Sequence, residues 1–355
     1  MKCAVYPYSD VLYPLLEHRQ ELTDGISIEA AVYPRAWRKL LLHEKVLEQI
    51  TSGFDFEALT ADVECVIFAD VTDREYMYAD ILAKAEYTLS AGKNVIFCTK
   101  MQEHDITELR SKYPDRSVTV KYGTAGRTAE QIYGHEDIRC AAVGIAPLYR
   151  GLDEAASVVG IHEAFRRKGL RTAAVSSNAT FSLLGFYHFP IDIFSGQTDP
   201  EQQAGALNAF FRVLERSTHC DVMIVQFPDG MMKFMDEAND AYGVKAFMLT
   251  RAVAFDYFVL SSFLEIIRPE AYERIRSIVG KRFNLSLDAC LFQPLTADRE
   301  YSREYQRILY TRNRVPDCLE DYEALKLAMK DMIVADYDDA AAYERIADAC
   351  IKKLT

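Results

Sequence analysis

Short apolar runs rich in β-branched residues alternate with helix-length amphipathic stretches from the start of this chain. Residues 2–8, 27–33, 65–70 and 94–99 read as strands because each is a compact hydrophobic run bounded by polar or turn-forming residues. Residues 73–91 carry helical periodicity and close on Gly92, a residue suited to a helix C-terminus. Residues 101–113 supply a further helix, and 117–122 a sixth element. A second cycle follows, with strands at 139–145, 171–176, 221–227, 246–251, 257–262 and 288–293. Helices are expected at 153–168, 201–216, 269–281, 319–332 and 340–353. The β-α-β rhythm predicts parallel sheets with helices on both faces. The expected fold is therefore α/β, with two doubly wound domains and a helical C-terminal extension. The N-terminal domain, 1–125, is expected to be Rossmann-like. A polar, glycine-bearing linker at 126–138 leads to a P-loop-NTPase-like domain at 139–295, and 296–355 forms the acidic extension.

Length supports this division, since 355 residues correspond to about two ordinary domains. Half of the residues are hydrophobic and 26% are charged, which excludes general disorder. No apolar run approaches the ~20 residues needed to span a bilayer. The opening residues read as a strand rather than a secretory signal, so the expected location is the cytoplasm. Asp and Glu total 53 against 41 Lys and Arg, a net charge of −12. That balance disfavours nucleic acid and anionic membranes as partners. From residue 317 onward there are ten acidic and five basic residues, a local net of −5. This end reads as a solvated helical surface, with docking of a basic partner as the alternative. The eight cysteines are dispersed and form no CxxC pair. They read as small core residues in a reducing compartment, and no metal site is expected.

The strongest candidate for chemistry is VGIAPLYRGLDEAASV, residues 143–158. A strand enters, Gly144 is expected to end it, and a helix begins near Asp153. Phosphate-binding loops use this strand–loop–helix layout to aim backbone N–H groups and a helix N-terminus at oxyanions. The G-x4-G-K-[ST] pattern also requires a lysine and a hydroxyl. Here Tyr149 stands at the second glycine, Arg150 at the lysine and Gly151 at the hydroxyl. No lysine occurs between Gly144 and Phe165. Arg150 offers a planar fork rather than a compact ammonium, and Asp153 and Glu154 bring negative charge beside any phosphate. Gly144, Pro147 and Asp153 also have plain readings as a strand end, a stiff loop and a helix cap. A basic side chain arriving from elsewhere in the chain would restore the missing charge.

The strand at 221–227 ends in Pro228-Asp229-Gly230, at the sheet edge where open α/β folds gather ligands and magnesium-orienting acids. Asp229 and Gly230 are candidates there, with a simple turn as the alternative. Ser176 and Ser177, after the preceding strand, supply polar groups to the same edge or form a turn that caps the next segment. His162 and His188 have no sequence-adjacent residue that would make a dyad, and no nucleophile with an identifiable base is found in the sequence. Catalytic residues remain unassigned. The candidate ligand is a nucleotide or another phosphate-bearing molecule.

Three stretches taken together resemble one known family: LRTAAVSSNATFSLLGFYHFP (170–190), CDVMIVQFPDGMM (220–232) and YGVKAFMLTRAVAFDYFVLS (242–261). The opening KCAVYPYSD and the later VYPRAWRK also fit. The family is the clostridial peptide maturation system protein, encoded beside ribosomally made natural-product precursors. The resemblance covers most of residues 1–265. It implies a precursor peptide, a radical-SAM maturase or an acyl-carrier-related protein as partner. The family pattern has a lysine in the loop after the 139–145 strand and a glycine pair after the proline matching Pro228. Here the lysine is missing and the first glycine is Asp229. The expected function is a non-hydrolysing accessory protein that binds a partner in peptide maturation, alone or as a homo-oligomer. The alternatives are a divergent nucleotide-dependent ligase or kinase-like enzyme using Arg150 and Asp229, and a small-molecule sensor with its ligand between the two domains.

Overall fold

A computed structural model describes residues 1–40, 44–71, 74–122, 136–152, 154–190, 192–195, 199–236, 242–263, 269–306, 308–312, 319–337 and 339–355. The chain divides into two compact units. The first comprises Met1–Ala125 and Asn178–Phe189, the second Gly126–Ser177 and Pro190–Thr355. Of the expected linker, 126–135 lies outside the described residues.

The first unit contains six parallel strands: β1 (Lys2–Tyr6), β2 (Ser27–Val32), β3 (Thr51–Gly53), β4 (Cys65–Phe68), β5 (Asn94–Phe97) and β6 (Val118–Val120). They run in the order β3-β2-β1-β4-β5-β6. This is the doubly wound Rossmann arrangement, whose order reverses between β1 and β4. Every residue of β4 is buried, as parallel strands covered on both faces require. Phe68 and Phe97 stack across β4 and β5 with ring centroids 5.2 Å apart. The helix Arg74–Ser90 connects those two strands, and Gly92 beyond it has φ +83°.

At the end of β4, Asp70 is bound by the later segment Asn178–Phe189. The Asp70 N–H donates to Thr180 Oγ1 at 2.8 Å, Asn178 Nδ2 donates to the Asp70 carbonyl at 3.1 Å, and the Ala179 N–H donates to the Asp70 carboxylate at 3.3 Å. Ala179, Thr180, Phe181 and Leu183 are buried in this turn. The β1/β4 reversal, where such sheets ordinarily take ligands, is thus bordered by the chain's own turn.

The two-residue strand β9 (Tyr187–His188) belongs to the first unit, and the sheet of the second comprises β7 (Ala141–Pro147), β8 (Thr172–Ser176), β10 (Val222–Gln226), β11 (Tyr257–Phe263), β12 (Ala289–Gln293) and, later in the chain, Ile333–Asp336. A separate antiparallel hairpin pairs β13 (Leu295–Ala297) with β14 (Tyr310–Arg312), which makes Ile333–Asp336 β15. Six strands of the large sheet lie within the second unit, in the order β15-β12-β11-β7-β10-β8, all parallel. The first strand of the unit therefore lies between the third and fourth, which sets the loop after β7 beside the turn after β10. Aspartates that precede strands lock this order. The Asp256 carboxylate accepts from the Ala142 N–H and that of Asp288 from the Phe258 N–H.

Two local expectations are corrected. Residues 246–251 are not a strand but part of the helix Val244–Ala252, whose Ala246, Met248, Leu249 and Ala252 face inward. The apolar run Ala246–Leu249 is only four residues long and fits either period, and helix spacing prevails here. Gly144 does not end its strand, since β7 continues through it to Pro147. A Cβ there would meet Phe255 at 2.9 Å and Phe227 at 3.0 Å, so the glycine makes room for aromatic packing. The helices expected at 319–332 and 340–353 form as Leu319–Ala328 and Ala340–Leu354. Between them β15 pairs in register with β12, an element the sequence reading lacked. No helix among the described residues is long and apolar enough to cross a membrane.

Candidate functional site

The loop leaving β7 and the chain leaving β10 run side by side. The Phe227 N–H donates to the Ile145 carbonyl at 2.8 Å, Met231 to Pro147 at 3.1 Å and Met232 to Leu148 at 2.9 Å. On the other flank the Leu148 N–H donates to the Ser261 carbonyl of β11 at 2.8 Å. The loop is therefore stitched to its neighbours by backbone bonds. Gly230 brings the two turns into close backbone contact: a Cβ there would lie 2.4 Å from Arg150 N and 2.8 Å from Tyr149 C. Only glycine lets the two turns approach so closely.

Arg150 and Asp229 face each other across this junction. Arg150 Nε donates to Asp229 Oδ1 at 2.9 Å and Nη2 to Oδ2 at 2.6 Å, a two-pronged charge-assisted pair. The Gly230 N–H adds a bond to Oδ1 at 2.9 Å. Lys245, in the first turn of the helix Val244–Ala252, places Nζ 3.4 Å from Oδ2. The Asp229 side chain is 4% exposed, while Arg150 and Lys245 keep 46% and 37% of theirs in solvent. Burial alone would raise the Asp229 carboxyl above its usual range. The Arg150 bonds and charge, then Lys245 and the Gly230 N–H, outweigh it and hold the group below that range. Two cations thus surround one buried anion.

Beside the pair stands an aromatic wall. Tyr149 packs edge-on to Phe234 at 5.1 Å and near Phe263 at 6.0 Å, and Phe263 meets Tyr310 at 5.6 Å. The Tyr310 hydroxyl donates to the Arg150 carbonyl at 3.0 Å, fixing the loop from the β14 side. Gly151 follows in a left-handed conformation, φ +86°, 3.3 Å from Tyr310 for a Cβ built on it.

Beneath the loop a second polar group is buried. Ser176 Oγ donates to Gln226 Oε1 at 2.7 Å, and the Ser177 N–H donates to the same oxygen at 3.2 Å. Gln226 Nε2 in turn donates to Glu154 Oε2 at 2.8 Å. Glu154 precedes the helix Ala155–Arg167 and is itself buried. A glutamine with both ends bonded joins the ends of β8 and β10 to the start of that helix.

The structure brings Tyr149, Arg150, Gly151, Asp229 and Gly230 into one junction. Ser176 and Ser177 bond to Gln226, three residues before Asp229. Gly144 lies back in the sheet, and Asp153 is outside the described residues. Sequence reasoning missed Gln226 and Lys245. A polar residue closing the apolar run DVMIVQF was the available signal for the former. The strand reading of 246–251 concealed the helix turn that delivers Lys245. Among the described residues, the three potential metal ligands His104, Asp105 and Glu108 lie elsewhere, on the helix Glu103–Lys112 of the first unit. There the Asp105 carboxylate already accepts the Tyr78 hydroxyl.

No protein-family model and no curated protein matches this chain. A solved structure does. The crystal structure of a DUF1611 family protein from Anabaena variabilis aligns over 99% of both chains, with a TM-score of 0.60 and 11% identity. At that identity the likeness shows a shared fold from end to end.

Proposed function

We propose that this protein is a non-hydrolysing, P-loop-like partner-binding protein, an accessory to peptide natural-product maturation in the cytoplasm. The observation that supports this reading best is the Arg150–Asp229 pair. The arginine standing at the lysine position of a phosphate-binding loop is engaged by an internal carboxylate, and Gly230 lets the next turn press against the loop backbone. A triphosphate entering there would have to displace Asp229 and would meet Glu154 under the loop, an electrostatic cost with no lysine on the loop to offset it. The partner inferred from the sequence resemblance is a precursor peptide, a radical-SAM maturase or an acyl-carrier-related protein. Co-purification of the tagged full chain with each of these tests the reading. Retention of at least one partner is expected, and loss of all three would count against it.

Lys245 favours a second reading, a nucleotide-dependent enzyme of ligase or kinase type. Its ammonium reaches Asp229 from a different element and supplies a compact cation near the place where the loop lacks one. On this reading Mg-ATP or Mg-GTP releases Arg150 from Asp229 on binding, and Lys245→Ala abolishes that binding.

A further inference from the structure

At the opposite end of the same two strands, Cys140 and Cys220 are in sulfur–sulfur contact. They are 80 residues apart in sequence, and their Sγ atoms lie 3.6 Å apart. Cys140 immediately precedes β7, and Cys220 lies two residues before β10. The parallel ladder between these strands holds the two in place, with Ala141 N–H donating to the Asp221 carbonyl at 3.1 Å. The Glu215 carboxylate accepts from the N–H groups of Arg139 and Cys140 at 2.7 and 2.6 Å and fixes the approach to β7. His219, in the left-handed region at φ 49°, turns the chain from the helix Pro200–Thr218 into Cys220.

The pair differs from the other described cysteines in access. Cys3, Cys65, Cys98, Cys290 and Cys350 are wholly buried, whereas Cys140 is half-buried and its partner is 7% exposed. The contact with Cys140 lowers the Cys220 thiol, aided by Thr218 and opposed by burial and by the nearby Glu215. The same contact raises the Cys140 thiol, so the pair joins a buried thiol that ionises more readily to one that reaches solvent, and thiol exchange draws on both properties.

We infer that Cys140 and Cys220 are a redox-modification site, a dithiol that closes reversibly to a disulfide across β7 and β10. The co-reactant is a low-molecular-weight disulfide. One cysteine thiolate attacks a sulfur of that oxidant, forming a mixed disulfide and expelling one thiolate. The second cysteine, deprotonated, attacks the protein sulfur of the mixed disulfide and expels the other. Two protein thiols lose two electrons and two protons, and the oxidant leaves as two thiols. Closure brings the sulfurs from 3.6 Å to the ~2.05 Å of a disulfide bond. The resulting link spans an 80-residue loop, long enough to constrain the unfolded chain strongly. The inference stands apart from the loop chemistry, because it concerns the other edge of the sheet.

The test is oxidation of the full chain with glutathione disulfide, blocking of remaining thiols with N-ethylmaleimide, digestion and mass spectrometry. A linked peptide pair containing Cys140 and Cys220, lost on addition of dithiothreitol, is expected. Oxidation should also raise Tm by several degrees, and Cys140→Ser should remove that rise while leaving the reduced protein's Tm near its starting value. Both cysteines recovered with N-ethylmaleimide attached, or Cys140 carrying glutathione with no Cys220 link, would overturn the inference. An unchanged Tm in a sample whose linked peptide has formed would overturn the claim that the bond constrains the fold.

Discussion

Arg150 and Asp229, 79 residues apart in the chain, are joined by two charge-assisted hydrogen bonds of 2.9 and 2.6 Å. The carboxylate is buried and the guanidinium is half in solvent, so the two partners are not equivalent. Removing the arginine strips the anion of its principal donors while leaving it inside. Removing the aspartate frees two cations that already have access to water.

Arg150→Ala is therefore expected to destabilise the second unit by ~1–3 kcal/mol, the range for losing hydrogen bonds to a buried charge. Asp229→Asn should cost less, because it removes the charge that needs neutralising and retains an acceptor. Urea unfolding of the two variants checks the order. Equal losses would mean that the burial of Asp229 does not govern the energetics.

The pair also predicts a pH dependence. The folded-state pKa of Asp229 lies below its ordinary 3.8, so the unfolded chain takes up this proton at a higher pH than the folded chain. The associated stability is fully present above about pH 4–5 and is lost as pH falls through 3.8 and then the depressed folded value. Stability measured from pH 6 down to 3 should fall less steeply in Asp229→Asn than in the wild type. Parallel curves would contradict the depressed carboxyl.

Gln226 offers a test of the layer beneath the loop. Gln226→Leu removes the donor to buried Glu154 and the acceptor for Ser176 and the Ser177 N–H. A loss of ~2 kcal/mol is expected from removing these three hydrogen bonds from buried groups. Glu154→Gln in the same background should recover part of it, since the buried charge is gone.

Gly160 lies within the helix Ala155–Arg167, where alanine would ordinarily add about 1 kcal/mol of stability. A Cβ there would fall 2.0 Å from the Tyr343 ring on the C-terminal helix. Gly160→Ala is accordingly expected to destabilise by ~1–3 kcal/mol, as overpacking does. Combining it with Tyr343→Leu should be far milder than the sum of the single changes. Additive losses would mean that the two helices do not interlock at this point.

The strands were legible where burial on both faces left an unbroken apolar run, as in Cys65–Phe68 and Val222–Val225. The alternation of such runs with amphipathic helices was enough to predict two parallel sheets. Short elements escaped: β3 is the exposed-to-half-buried tripeptide Thr51–Gly53, and β15 is four residues set in a helical stretch. At the site, Arg150 and Asp229 could each be singled out by position, one replacing a lysine and the other closing a strand. Their bond could not, because it depends on β7 and β10 being neighbours. The same adjacency joins Cys140 to Cys220, which dispersed spacing had made look unrelated. Lys245 was hidden for a local reason, the equal fit of the four-residue apolar run Ala246–Leu249 to strand and helix.

Isothermal calorimetry of the full chain with Mg-ATP and Mg-GTP addresses the central claim most directly. If Asp229 holds the loop's arginine in place of a phosphate, neither nucleotide releases heat at millimolar concentration, in the wild type or in Lys245→Ala. Saturable micromolar binding that disappears in Arg150→Ala or Lys245→Ala would contradict the account and leave the enzyme reading in its place.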